Sequence, residues 1–324
     1  MTDAIHHEAT QGPDISGILH RAFPAHGVRS STVMTGGLIN AMYRVELEGF
    51  EDPLVLRFYS QDPSACQKEV DLHRLVAGWV PVPEILYAAT GEQDGVAPHV
   101  LMRWVKGLTF RQLKARHNPT EIAEAAHSIG ETLARIASFE FASPGRIGAG
   151  LSIGAPLLES THGAAEFVES CLRSPETQRR LEALLVERVR EYIWHWAPEM
   201  DLLAEERRLV HSDFGGPNLM VDRVGGRWCV SGAIDWEFAF SGPPLVDVGH
   251  MMRYERRGRP LVEPWFSEGY LAGGGTLPQD WRDLARAVDL MALCEFLTRP
   301  GLPESIVPEL VELIAATTQG RDAA

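Results

Sequence analysis

Apolar residues change their spacing partway along the chain. Up to about residue 105 they fall in short runs, VMTGGL, AMYRVELEG, PLVLRFY, LYAATGE and HVLMRWV, separated by turn-forming residues. Runs of this length and composition predict strands, with a glycine-bearing hairpin between the first two. Asp14 is placed to cap a short helix through His20, Pro63 opens a helix through Val76, and VPVPEI is an extended proline segment. Past Gly107 to Thr109, which reads as a hinge, the spacing turns helical. Asn118, Pro119, Thr120 and Glu121 read as N-cap, N1, N2 and N3 with a capping box. The helix they open runs to about Phe139, with Ile122, Ala126, Ile129, Leu133 and Ile136 on its core face. Ser143 to Leu158, rich in Gly and Pro, predicts loop. A second long helix is expected from Ser174 through Trp196, with Leu181, Leu184, Leu185, Val189 and Tyr192 as its stripe. Further helices are expected over Asp247 to Tyr254, Glu263 to Leu271, Pro278 to Arg299 and Pro303 to Thr317. The sum is an α+β chain: a small antiparallel-sheet lobe with one helix over residues 1–105, and a larger, mainly helical lobe over 106–324.

Composition narrows the setting. With 324 residues, 45% hydrophobic and 23% charged, the chain has the makeup of a soluble protein with length for two cores. No apolar run approaches a membrane span, and MTDAIHHEATQGPD has neither a basic nor an apolar leader region, so a cytoplasmic setting is expected. Cys66, Cys171, Cys229 and Cys294 lie far apart and read as scattered thiols rather than a zinc site. A net charge of −14 argues against a nucleic-acid partner. It suits a cationic small substrate, although solubility alone explains such a charge.

The candidate chemistry sits in LVHSDFGGPNLMVD, residues 209 to 222, and IDWE, residues 234 to 237. Two short apolar runs each end on a carboxylate, Asp213 and Asp235, and a Gly-Gly-Pro turn delivers Asn218 between them. Phosphoryl transfer needs this set: a base that orients a hydroxyl, and two oxygens for magnesium. Alone, each aspartate would be read as a turn or cap residue; together the spacing carries the signal. His211 shares a strand face with Asp213 and is expected to fix the loop rather than act as an acid. A histidine–carboxylate metal pair of a phosphohydrolase is the competing reading, but no second cluster supports it. In the first lobe, Gly36 and Gly37 form either a plain hairpin turn or a flap over phosphates. Arg57, inside an apolar strand, either pairs with Glu69 on the following helix or lies at a wet sheet edge.

His211 to Asn218 resembles the HxDxxxxN loop of the aminoglycoside phosphotransferase and choline kinase family, protein-kinase-like small-molecule kinases. Ile234 to Glu237 resembles that family's IDWE segment, and Pro244 to Gly249 its PxxDxG segment. The resemblance implies a bilobal fold that binds MgATP and moves the γ-phosphoryl group to a small-molecule hydroxyl, on an amino sugar, aminoglycoside-like molecule, amino alcohol or sugar. It implies Asp213 as base, Asn218 and Asp235 as magnesium ligands, and Asp247 as a brace for the loop. It also implies nucleotide contacts from Gly36, Gly37, Asn40, Arg57 with Glu69, and the main chain near Arg103 and Val105. Two features depart from the pattern: Arg57 stands where lysine is usual, and the hairpin lacks GxGxxG. An inactive nucleotide-binding module is therefore the alternative function. The absence of an APE segment argues against a protein kinase.

Overall fold

The computed structural model describes residues 14–34, 41–93, 95–158, 162–255 and 261–319. Its chain packs as two units, Met1–Val70 with Pro83–Trp104, and Asp71–Val82 with Val105–Ala324.

The first unit is built on strands β1 (Val28–Val33), β2 (Met42–Leu47), β3 (Leu54–Phe58), β4 (Ile85–Ala89) and β5 (His99–Arg103). They form one antiparallel sheet in the order β1-β2-β3-β5-β4. Side chains alternate across β3, so the sheet has two apolar faces. Leu54, Leu56 and Phe58 join Val45, Leu47 and Leu101 under helix α1 (Ile15–Ala22), whose Ile18 and Leu19 are buried. The opposite face carries Tyr59, Val100 and Met102 and receives Ala65, Cys66 and Val70 from helix α2 (Ser64–Val76). Asp14 caps α1 as expected, accepting from the Gly17 N–H at 2.9 Å. Asp62 plays the same part before α2, where its carboxylate accepts from the Ser64 N–H at 3.1 Å.

In the second unit, residues 107 to 109 are not a hinge. Leu108–Thr109 is a two-residue strand, β6, that pairs with a later strand, and Thr109 then caps a short helix, α3 (Phe110–Lys114). The cap is reciprocal: the Thr109 hydroxyl accepts from the Gln112 N–H, and the Gln112 side chain accepts from the Thr109 N–H. Helix α4 (Pro119–Ile136) starts where expected, with Asn118 accepting from the Thr120 and Glu121 N–H groups. Its capping box is only half formed, because Glu121 reaches out to Arg223 at 2.7 Å instead of back to the cap.

Strand β7 (Gly145–Arg146) and helices α5 (Gly163–Arg173), α6 (Pro175–Arg180) and α7 (Ala183–Leu203) follow. The single helix expected from Ser174 to Trp196 is therefore two. The chain turns extended at Leu181 and Glu182, which leaves Leu184 81% exposed instead of on a core stripe. Nor do the tryptophans end the second of them: Trp196 is buried mid-helix, and α7 continues through Pro198.

Strands β8 (Arg208–Val210), β9 (Leu219–Val224), β10 (Arg227–Ala233) and β11 (Phe240–Gly242) then form two small sheets, β10-β9-β6 and β7-β11-β8. Helices α8 (Leu245–Met252), α9 (Trp265–Ala272), α10 (Trp281–Thr298) and α11 (Val307–Thr318) complete the unit. One continuous core runs under these elements, with Phe214 and Trp236 among its fully buried side chains. Among the described residues no helix is long and apolar enough to cross a membrane.

Candidate active site

The two carboxylate-bearing runs do not pair with each other. Asp213 follows β8 in one small sheet, and Asp235 follows β10 in the other. What joins them is the β9–β10 hairpin. Leu219 opposes Ala233 in its register, and the Asn218 carbonyl accepts from the Ile234 N–H at 3.0 Å. Asn218 and Asp235 thus leave the same end of one hairpin.

Asn218 also reaches back along the loop. Its Nδ2 donates to the Asp213 carboxylate at 2.7 Å and to the Asp213 carbonyl at 3.0 Å. Both partners can only accept, so the amide orientation is fixed, and the side-chain oxygen is the atom left over for another ligand. The Gly-Gly-Pro turn between them is tight, with the Gly215 N–H on the Asp213 carbonyl and the Asn218 N–H on the Gly215 carbonyl. Gly216 sits against α3: its carbonyl accepts the Arg111 N–H, and a Cβ there would come within 3.2 Å of the Arg111 nitrogen.

His211 and Asp213 do not share a strand face, because the strand ends at Val210 and Ser212 turns to a φ of 70°. The imidazole instead lies inside the loop, fully buried and tilted against Trp236 with ring centroids 4.6 Å apart. Its Nδ1 faces the Asp213 N–H at 3.3 Å, and its Nε2 faces the Ile234 carbonyl at 3.0 Å. The first partner can only donate and the second only accept, so the ring is neutral with its proton on Nε2. His211 therefore ties the Asp213 loop to the segment that carries Asp235.

Asp247, on the first turn of α8, is fully buried. Its two oxygens accept the His211 N–H at 2.7 Å and the Ser212 N–H at 2.8 Å. Burial pushes its carboxyl up to about 7, against the pull of these two N–H donors, and the Asp213 charge adds to the rise. Gly249 lets α8 lie this close to α10, since a Cβ there would stand 2.6 Å from the Ala285 carbonyl oxygen. The contact is continued by Arg253, which forks onto the buried Asp289 at 2.6 to 3.2 Å.

In the first unit Arg57 and Glu69 are both buried and paired, at 3.2 Å between Nη1 and Oε1. The wet-edge alternative for Arg57 is excluded. Sequence reasoning missed Tyr59, whose hydroxyl donates to Glu69 Oε2 at 2.6 Å. The available signal was its place two residues after Arg57, on the same strand face. The Arg103 N–H donates to the Glu84 carbonyl and its side chain pairs with the Glu84 carboxylate at 2.5 Å. Val105, in the second unit, packs on Gly232. Gly36, Gly37 and Asn40 lie outside the described residues.

Among the described residues no group of three or more His, Cys, Asp or Glu side chains could hold a metal ion by itself. The available set is one neutral oxygen from Asn218 and one carboxylate from Asp235. It fits a hard cation that takes most of its ligands from phosphate and water. Asp235 has a φ of 70°, a backbone conformation uncommon outside glycine, and its half-buried side chain follows immediately on the hairpin.

A family model described as the phosphotransferase enzyme family matches residues 31–286. The chain is similar to a thermostable mutant of aminoglycoside phosphotransferase APH(4)-Ia solved with ADP and hygromycin B. Identity is 20%, coverage is 96% of this chain and 100% of that one, and the TM-score is 0.68. It is also similar to APH(2")-IIia solved with GDP and kanamycin, at 19% identity over 94% and 98% of the two chains with a TM-score of 0.68. The GDP complex of wild-type aminoglycoside 2'-phosphotransferase-IIIa gives 18% identity, 94% and 98% coverage and a TM-score of 0.68. These likenesses show a shared fold, that of the protein-kinase-like aminoglycoside kinases, with an antiparallel sheet first and helices after it. No curated protein sequence matches the chain.

Proposed function

The chain belongs to the phosphotransferase enzyme family, and from that premise we propose that it moves the γ-phosphoryl group of MgATP to a hydroxyl of a small molecule. The observation that carries this reading is the union of Asp213, Asn218 and Asp235. The Asn218 side-chain amide donates to the Asp213 carboxylate, while the Asn218 backbone carbonyl accepts the N–H of Ile234, next to Asp235.

Asp213 is exposed at the tip of a loop held from beneath by His211 and Asp247. There it orients the acceptor hydroxyl and takes its proton as that oxygen bonds the γ-phosphorus and the bond from phosphorus to the departing ADP oxygen breaks, a role that needs reach and fixed direction. One Asn218 N–H holds one oxygen of that carboxylate, the other N–H holds the Asp213 carbonyl, and the second carboxylate oxygen is left for the substrate. Asn218 and Asp235 would hold magnesium bound together with the nucleotide, and the ion would supply positive charge to the phosphate oxygens. Arg57, kept in place by Glu69, supplies a fixed positive charge for the nucleotide phosphates. The lobe boundary near residue 105, the cytoplasmic setting and main-chain adenine contacts near Arg103 and Val105 belong to the same proposal.

For the acceptor we propose an amino sugar, aminoglycoside-like molecule, amino alcohol or sugar. Family membership supports that class, and so do the aminoglycosides bound to two of the similar structures. The net charge of −14 suits a cationic acceptor. The test is purified protein with MgATP and a panel of these hydroxyl compounds, following phosphorylated product. Product from one class supports the proposal. Stabilisation by MgATP with no product from any class would instead make the chain a nucleotide-binding module.

A further inference from the structure

Tyr59 has no part in the chemistry described so far, yet it is fully buried against the buried Arg57–Glu69 pair. Three contacts define the arrangement. The Tyr59 hydroxyl donates to Glu69 Oε2 at 2.6 Å. Arg57 Nη1 donates to the other oxygen, Oε1, at 3.2 Å. The Arg57 guanidinium carbon lies over the Tyr59 ring, 5.0 Å from its centroid. Tyr59 therefore touches both members of the pair, one with its hydroxyl and one with its ring face.

The chemistry of arginine gives this triangle a purpose. A lysine ammonium is a point charge and needs only a distance, whereas a guanidinium is a planar fork that is useful only when its plane is fixed. The Nη1–Glu69 bond fixes where the guanidinium sits more than how its plane is turned. The Tyr59 ring face beneath it adds a constraint on that plane, since a cation over a ring is held by the ring's negative face. The hydroxyl meanwhile fixes the Glu69 carboxylate by a short bond to a charged acceptor. Burial and the Glu69 charge push the Tyr59 phenol well above its usual range, with Arg57 pulling the other way, so the hydroxyl remains a donor. Cys66, on the same face, is likewise pushed up to about 12 by burial and Glu69 and stays a neutral thiol.

We propose that Tyr59 is a positioning residue for nucleotide binding: it orients Arg57, directly through its ring and indirectly through Glu69, so that an arginine serves where a lysine is usual. This rests on the reading of Arg57 as a phosphate-binding group.

The test is the dissociation constant of a non-hydrolysable ATP analogue with magnesium, measured by calorimetry. The proteins compared are wild type, Arg57→Ala, Tyr59→Phe and the double variant. Tyr59→Phe keeps the ring and removes the hydroxyl. It is expected to weaken binding about tenfold, the scale of one hydrogen bond to a charged group. In the Arg57→Ala background the same change should add almost nothing, because Tyr59 acts through Arg57. Full additivity, or no effect of Tyr59→Phe in wild type, would overturn the inference. Wild-type affinity in Arg57→Ala would instead overturn the reading of Arg57 itself. Should Tyr59→Phe not fold, Tyr59→Leu, which removes both ring and hydroxyl, with and without Arg57→Ala carries the same comparison, with the same non-additivity expected.

Discussion

The Asp247 carboxylate accepts the backbone N–H of His211 at 2.7 Å, across 36 residues of sequence. With the neighbouring bond from Ser212, this makes a buried side chain on α8 the support of the loop that carries Asp213. In Asp247→Asn one carboxylate oxygen becomes an NH2 group, which would face an N–H donor instead of accepting it. Loss of one buried hydrogen bond to a charged group costs about 1–3 kcal/mol. Urea unfolding is expected to show a drop of that size, together with slower phosphoryl transfer. Unchanged stability and unchanged turnover would show that the loop is held by something else.

Asp247 also sets a pH dependence. Its carboxyl is raised from 3.8 to about 7 in the folded protein, so between those values the native state binds the extra proton. The stability it contributes is fully present below the unfolded value and is lost as pH rises through about 7. The slope reaches at most about 1.4 kcal/mol per pH unit for one proton. Unfolding free energies measured across this window should fall with pH more steeply in wild type than in Asp247→Asn. Parallel curves would contradict the assignment.

His211 joins the Asp213 loop to the Asp235 segment through its two ring nitrogens. His211→Phe keeps an aromatic ring near Trp236 and removes both bonds. A fall in kcat of about tenfold or more, with a smaller change in KM, is the expected result of misplacing a catalytic loop. Nitrogen NMR of the wild-type ring should show the neutral form protonated at Nε2.

Much of the candidate site is legible in the sequence, because the chemistry proposed for it would need particular residue types at fixed spacing. Asp213, Asn218 and Asp235 are such residues, and the structure puts Asn218 between the other two. Helix starts marked by capping residues, Asp14 and Asn118, are equally legible. The losses have physical causes. Helix α5 opens at His162 without a side-chain cap, so nothing marks it. The α6–α7 break falls at Leu181 and Glu182, with neither Gly nor Pro to mark it, where Leu181 is buried and the preceding Arg180 donates to the distant Leu297 and Arg299 carbonyls. The capping box at Thr109 and Gln112 was hidden by the glycine before it, which reads as a hinge. Tyr59 lies beside Glu69 because α2 folds over the face of β3, a contact across ten residues that the two-residue spacing from Arg57 points toward but does not by itself place.

Gly249 tests the packing that brings α8 against α10. In Gly249→Ala the added Cβ would stand 2.6 Å from the Ala285 carbonyl and 3.1 Å from the Asp289 Cβ, so one helix must shift. Overpacking of this kind costs about 1–3 kcal/mol. Denaturant unfolding should show that loss, and turnover should fall with it because Asp247 rides on the same helix. A variant as stable and as active as wild type would mean that the close approach is not needed.

The most direct measurement concerns Asp213. Wild-type protein and Asp213→Asn are incubated with MgATP and the acceptor identified from the panel, and phosphorylated product is followed. Binding of MgATP, checked by calorimetry, should be nearly the same in both proteins, while product formation in the variant should fall by about 100-fold or more. Product formed at the wild-type rate by Asp213→Asn would contradict the account.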